Sequence, residues 1–213
     1  MLMDLQIEAN KSRFIELVKS IEREGFMKEE IIKKLENSDF FYAPASTKYH
    51  NSFKGGLCQH CLNVYDNFVK LNEVKSANIP ADTIKILALF HDFSKMNLYE
   101  IYFQNKKQYR AGGSKRDEGG TFDWITVEAY KTRDLKDRFL FSTHEQTSEF
   151  MLRSYCPLTY QESIAILHHH GGMGYDSTKD MGVVANVFDR YPEALFLHIA
   201  DQIAASFDEE VSE

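Results

Sequence analysis

Residues 81–95 read ADTIKILALFHDFSK. Ile84, Ile86, Leu87, Leu89 and Phe90 make this stretch apolar on almost every side, the mark of a helix buried all round. Pro80 stands where a first helical position is expected, since its missing N–H is unpaired there anyway. His91 and Asp92 then break the apolar run, and an unpaired carboxylate among Leu87, Leu89, Phe90 and Phe93 would be costly.

Helical spacing extends outward on both sides. Upstream, Leu57, Cys61, Val64, Tyr65, Phe68 and Leu71 share a stripe, as do Phe14, Leu17, Val18 and Ile21, with Gly25 as the expected stop. Lys28 to Glu36 repeats the pattern, and Pro44 and Gly55-Gly56 punctuate the polar link that follows. Downstream, LYEIYFQNKKQYR and TFDWITVEAYKT are rich in aromatic and β-branched residues and are divided by AGGSKRDEGG. They predict two or three short antiparallel strands, a β-flap over about 97–131. Helices resume at HEQTSEFMLRSY, TYQESIAILHHH and, opened by Tyr191-Pro192, EALFLHIADQIAASF. The expected fold is mostly α: one domain over 1–213, a helical bundle with a small inserted β-hairpin. Its parts are N-terminal helices and linker (1–49), a core (50–94 and 142–207) and the insertion (95–141).

The chain has 213 residues, 43% of them hydrophobic, enough to bury a sizeable core. A net charge of −7 argues against wholesale coating of nucleic-acid backbone. No run of 18 apolar residues predicts a membrane span, and the polar N-terminus is unlike a secretory signal. Three cysteines do not make a disulfide framework, and the expected location is cytoplasmic. Cys58 and Cys61 form a CxxC around His60, but no second pair accompanies it and both read as structural thiols.

The polar residues that interrupt the apolar helices are His60, His91, Asp92, His144, His168, His169, His170, His198 and Asp201. Imidazole and carboxylate are the usual ligands of borderline divalent metals, and helical bundles often assemble such sites from facing helices. Singly, each histidine reads as a core or surface residue; jointly they read as a metal site.

In GGLCQHCLNV, LALFHDFSK, STHEQTSEFML, AILHHHGG and PEALFLHIADQIAAS, the order His, His-Asp, His, His-His, Asp resembles the HD-domain metal-dependent phosphohydrolase superfamily. The module is similar to that of bacterial 3′-to-5′ exoribonucleases, without an OB-type module, and to bacterial HD hydrolases with a β insertion. The resemblance covers about residues 50–207. It implies His60, His91, Asp92 and Asp201 around one divalent ion. His144 and His169 would hold a second, with Asp92 bridging as a catalytic ligand. Lys95 would be a catalytic group facing the substrate phosphate, on the same helical face as His91. His170 is a possible metal or substrate contact, and His168 has no counterpart. The implied substrate is a small phosphorylated molecule, a nucleotide or a nucleic-acid end. Two ions would lower the pKa of a water and offset charge in an in-line displacement. The alternatives are an HD-type di-iron oxygenase and a non-catalytic nucleotide-binding sensor.

Three neighbours complete the reading. Glu145 is either a ligand or, preferably, the partner of Ser142 in a capping box. His198 either supports a ligand from behind or packs in the core. His50 is either a possible metal or substrate-phosphate contact or, preferably, a solvated loop residue. Ten basic side chains against seven acidic ones between residues 95 and 143 suggest a flap able to hold phosphates and stack a base.

Overall fold

The computed structural model describes residues 2–139, 142–171 and 181–209. The end of the expected insertion at 140–141, and Gly172 of AILHHHGG, lie outside the described residues. The fold is mostly α with a small β insertion. Helices α1 (Leu2–Lys19), α2 (Lys28–Glu36), α3 (Gly56–Lys75) and α4 (Ala81–Phe90) precede a sheet of β1 (Tyr99–Tyr109), β2 (Lys115–Asp117) and β3 (Gly120–Thr132). Then come α5 (His144–Leu152), α6 (Tyr160–Leu167), α7 (Met181–Arg190) and α8 (Pro192–Ile203), which ends in a π-helical turn over Ala204–Asp208.

The expected stripes are the buried ones. Phe14, Val18, Leu57, Val64, Phe68 and the apolar residues of α4 join one core cluster with Ala165, Ile166, Leu197 and Ala200. Phe14 meets Phe40, Phe41 and Phe90 edge-to-face at 5.1 to 5.9 Å, the offset that aromatic quadrupoles prefer. Several boundaries differ from expectation. α1 stops at Lys19, and Gly25, at φ +76°, turns the chain toward α2 instead of ending α1. Pro80 caps α4 from outside rather than opening it. Two of the three strands, β1 and β3, are long rather than short, and α7 carries no expectation at all.

The insertion is a three-stranded antiparallel sheet of order β1-β3-β2, with Tyr99 opposite Thr132 and Tyr109 opposite Phe122. Ile101, Phe103, Tyr109 and Trp124 are exposed, but Lys107 stands over the Phe122 ring at 4.7 Å. Three basic side chains are paired within the sheet, Lys107 with Asp117, Arg110 with Asp123 and Lys131 with Glu100. This pairing weakens the flap as a phosphate holder. No helix among the described residues is long and apolar enough to cross a membrane.

Candidate metal centre

The centre is built where helices stop. α4 ends at Phe90, His91 donates its backbone N–H to Leu87 O, and Asp92 leaves the helix at φ −102°, ψ 22°. A 3₁₀ turn over Phe93–Lys95 follows, with Lys95 N–H donating to Asp92 O at 2.9 Å. Lys95 is therefore not on a continuous helical face with His91. The turn brings its Nζ to 2.7 Å from Asp92 Oδ2, and the side chain is buried.

His60 comes from the first turns of α3 and Asp201 from the last turn of α8. His60 Nε2 lies 3.2 Å from His91 Nε2, 3.2 Å from Asp201 Oδ1 and 3.6 Å from Asp92 Oδ2. His91 Nε2 lies 3.5 Å from the same Asp92 oxygen. These four buried side chains converge on one point.

The second half faces the other oxygen of Asp92. His144 Nε2 is 3.7 Å and His169 Nε2 3.8 Å from Asp92 Oδ1. His170 Nε2 is 3.9 Å from Asp201 Oδ2. His144 opens α5, while His168, His169 and His170 follow the end of α6 in a turn, not on the helix as the spacing suggested. Gly171, at φ +62°, closes that turn, and a Cβ there would sit 3.0 Å from the His198 ring.

Ring orientation is set from behind. His91 Nδ1–H donates to Ala88 O at 3.0 Å and His169 Nδ1–H to Ile166 O at 2.7 Å. His60 Nδ1–H donates to Glu209 Oε1 at 2.9 Å. Because these acceptors have no proton to give, each Nδ1 carries hydrogen and each Nε2 points inward. Ser94 Oγ donates to His144 O at 2.9 Å, and Ser148 Oγ to Ser94 Oγ at 3.0 Å, fixing α5 against the 3₁₀ turn.

Burial alone would raise the Asp92 pKa, but Lys95 and the surrounding histidines hold it well below the usual carboxylate range. Burial likewise opposes charge on His60, yet its hydrogen bonds to Asp201 and Glu209 carry its pKa up to about 10. Burial dominates at His144, pushed down to about 4, and at His169, pushed well down. Asp92 Oδ1, His144 Nε2 and His169 Nε2 are buried with no hydrogen-bond partner among the described residues. Three converging orphan atoms of ligand type fit a cation and leave an uncompensated desolvation cost otherwise.

All the sequence-predicted residues gather here, two of them with different neighbours than expected. Glu145 is not the capping partner of Ser142: Thr143 is the N-cap, accepting from Gln146 N, and Glu145 turns inward instead. Its Oε1 lies 3.0 Å from His170 Nδ1 and its Oε2 3.4 Å from His144 Nδ1. His50 is half-buried rather than solvated, its ring 4.8 Å from that of His60. His198 donates from Nδ1 to His169 O at 2.7 Å and stacks on Phe188 at 5.1 Å, so it supports the histidine turn. Glu209 was not anticipated, since an acidic residue near a polar terminus gives no pattern. Two groupings, His60-His91-Asp92 and His144-His169-His170, have the spacing of metal ligands. A third, His50-His60-Glu209, contains the His60 Nδ1–Glu209 hydrogen bond at 2.9 Å and reads as a hydrogen-bonded layer. Cys58, Cys61 and Cys156 are free and buried.

Neither a family model, nor a curated protein, nor a solved structure matches the chain.

Proposed function

We propose that the chain is a metal-dependent phosphohydrolase of HD type, acting on a phosphate ester of a nucleotide or short nucleic-acid substrate through a dinuclear centre. The observation that carries the reading is the division of Asp92, whose Oδ2 faces His60 and His91 while Oδ1 faces His144 and His169. His60, His91, Asp92 and Asp201 would hold one divalent ion, and His144, His169, His170 and Asp92 the other.

Bound divalent ions would supply an activated water near neutral pH and charge compensation at the phosphoryl oxygens. The chain's own residues do the rest. Ionised Asp92 and Asp201 supply the negative charge of the ligand set, and imidazoles held at Nδ1 present Nε2 to the ion, His60 giving up its Nε2 proton on binding. Lys95, held cationic because the Asp92 ion pair outweighs burial, sits where it can meet a non-bridging phosphate oxygen. Burial of His60, His91, Asp92, His169 and Asp201 keeps bulk water from that part of the set, which strengthens its interactions.

The test is elemental analysis of protein purified without chelator, followed by a screen of phosphomonoesters and phosphodiesters with the metal found. About two ions per chain are expected. Asp92→Ala should lose metal and turnover while far-UV circular dichroism stays unchanged. Full activity in that variant, or no metal uptake by the wild type, sinks the reading. Oxygen consumption with strict iron dependence would replace it with an oxygenase.

A further inference from the structure

We propose that Glu209 and Glu145 are positioning residues, one for each half of the centre, so that each half can be weakened without the other. The inference rests on the dinuclear reading above.

Glu209 follows the π-helical turn that ends α8, and its side chain has no exposed surface. Its Oε1 accepts from His60 Nδ1 at 2.9 Å and from Asn63 Nδ2 at 3.1 Å, while Asp208 Oδ2 next to it accepts from Asn67 Nδ2 at 2.6 Å. His60, Asn63 and Asn67 are spaced by three and four residues along α3, so they line one helical face. The segment after α8 is therefore docked along that face, and its last contact reaches the back of a metal-facing imidazole. Glu145 performs the same task from α5. One carboxylate spans two rings, with Oε1 on His170 Nδ1 and Oε2 on His144 Nδ1.

Behind the remaining two imidazoles the Nδ1 partner is a main-chain carbonyl. His91 and His169 are held by the carbonyls of Ala88 and Ile166, which belong to α4 and α6. The carboxylates thus fall one to each half: Glu209 behind His60, Glu145 behind His144 and His170. Both lie on the Nδ1 side of the rings they touch, where they can orient a ligand and raise its basicity. A change there acts through the imidazole, and typically costs 10- to 100-fold in metal affinity.

Cobalt(II) titration, followed by visible absorption and chelator competition, reads the two ions separately. Glu209→Ala should weaken one ion by roughly 10- to 100-fold and leave the other within about three-fold. Glu145→Ala should weaken the other ion instead. Glu209→Gln keeps an oxygen for His60 Nδ1 and should recover part of the loss, which a merely structural role would not predict. Combining the two alanine changes should weaken both ions by the single-variant factors. Equal loss of both ions in Glu209→Ala, or unchanged affinity in either alanine variant while the wild type takes up two ions, overturns the inference alone. A wild type that binds no cobalt(II), or only one ion, overturns the dinuclear reading and the inference with it.

Discussion

At Asp92 the demands of folding and of chemistry meet in one side chain. A carboxylate this buried is tolerated only if its charge is matched, and Lys95 matches Oδ2 at 2.7 Å while Oδ1 has no hydrogen-bond donor among the described residues. Lys95 is therefore both a counter-charge and a cation buried beside the ligand set. Under the proposed function, Lys95→Ala should keep its two ions by elemental analysis. Its kcat on a phosphate ester should fall about 10²- to 10³-fold, the usual effect of losing one aligned donor. Unchanged kcat would remove Lys95 from the chemistry. At this scale the ligand-type residues were legible because histidine and aspartate are conspicuous in apolar helices. Glu145 was misread for a local reason. Ser142-to-Glu145 and Thr143-to-Gln146 both fit the capping pattern, and only the observed N-cap at Thr143 frees Glu145 to face the histidines. Glu209 was not legible, and His50 only as the less favoured of two readings, because what they touch depends on packing between distant segments.

The elements that carry these residues are tied together by another buried carboxylate, Glu162. It completes the capping box of α6 with Thr159, accepts from Arg23 Nη1 and Nη2 at 2.6 and 2.7 Å, and accepts from Thr83 Oγ1 on α4 at 2.8 Å. Burial acts to raise its pKa, but Arg23, the Thr159 amide and Thr83 together hold it below the usual value. A carboxylate whose pKa is lower folded than unfolded adds stability that is present above about pH 4.3 and lost as pH falls through the folded value. Glu162→Gln should therefore cost about 3 kcal/mol at pH 7, where it leaves Arg23 without its partner, and progressively less below pH 4. Urea unfolding of both proteins at pH 7 and pH 3.5 checks this. An equal difference at the two values would mean that the charge plays no part. The helices around this link were readable from apolar spacing, whereas α7 was not. Its Val183, Val184 and Val187 are β-branched and Gly182 stands in its first turn, all of which lower helix propensity.

Across the whole molecule, the ligand-type side chains come from α3, from the turns after α4 and α6, from α5 and from α8, spanning residues 60 to 201. In the unfolded chain they are too dispersed to form a site, so an ion that binds them binds the folded state alone. Occupancy then adds RT ln(1 + [L]/Kd), about 2.7 kcal/mol per ion at a hundred times Kd. For a chain of this length each kcal/mol corresponds to roughly 2–4 °C, so one ion should raise Tm by about 5–11 °C over chelator-treated protein. The β insertion contributes none of these side chains, and its long strands pair mainly with each other. Replacing residues 101–130 with a short glycine-serine link should therefore leave the metal-induced shift intact, while Asp92→Ala should abolish it. Differential scanning calorimetry of the three proteins, with and without the ion, separates these cases. A shift that survives Asp92→Ala would place the ion elsewhere, and one lost with the insertion would make the flap part of the site.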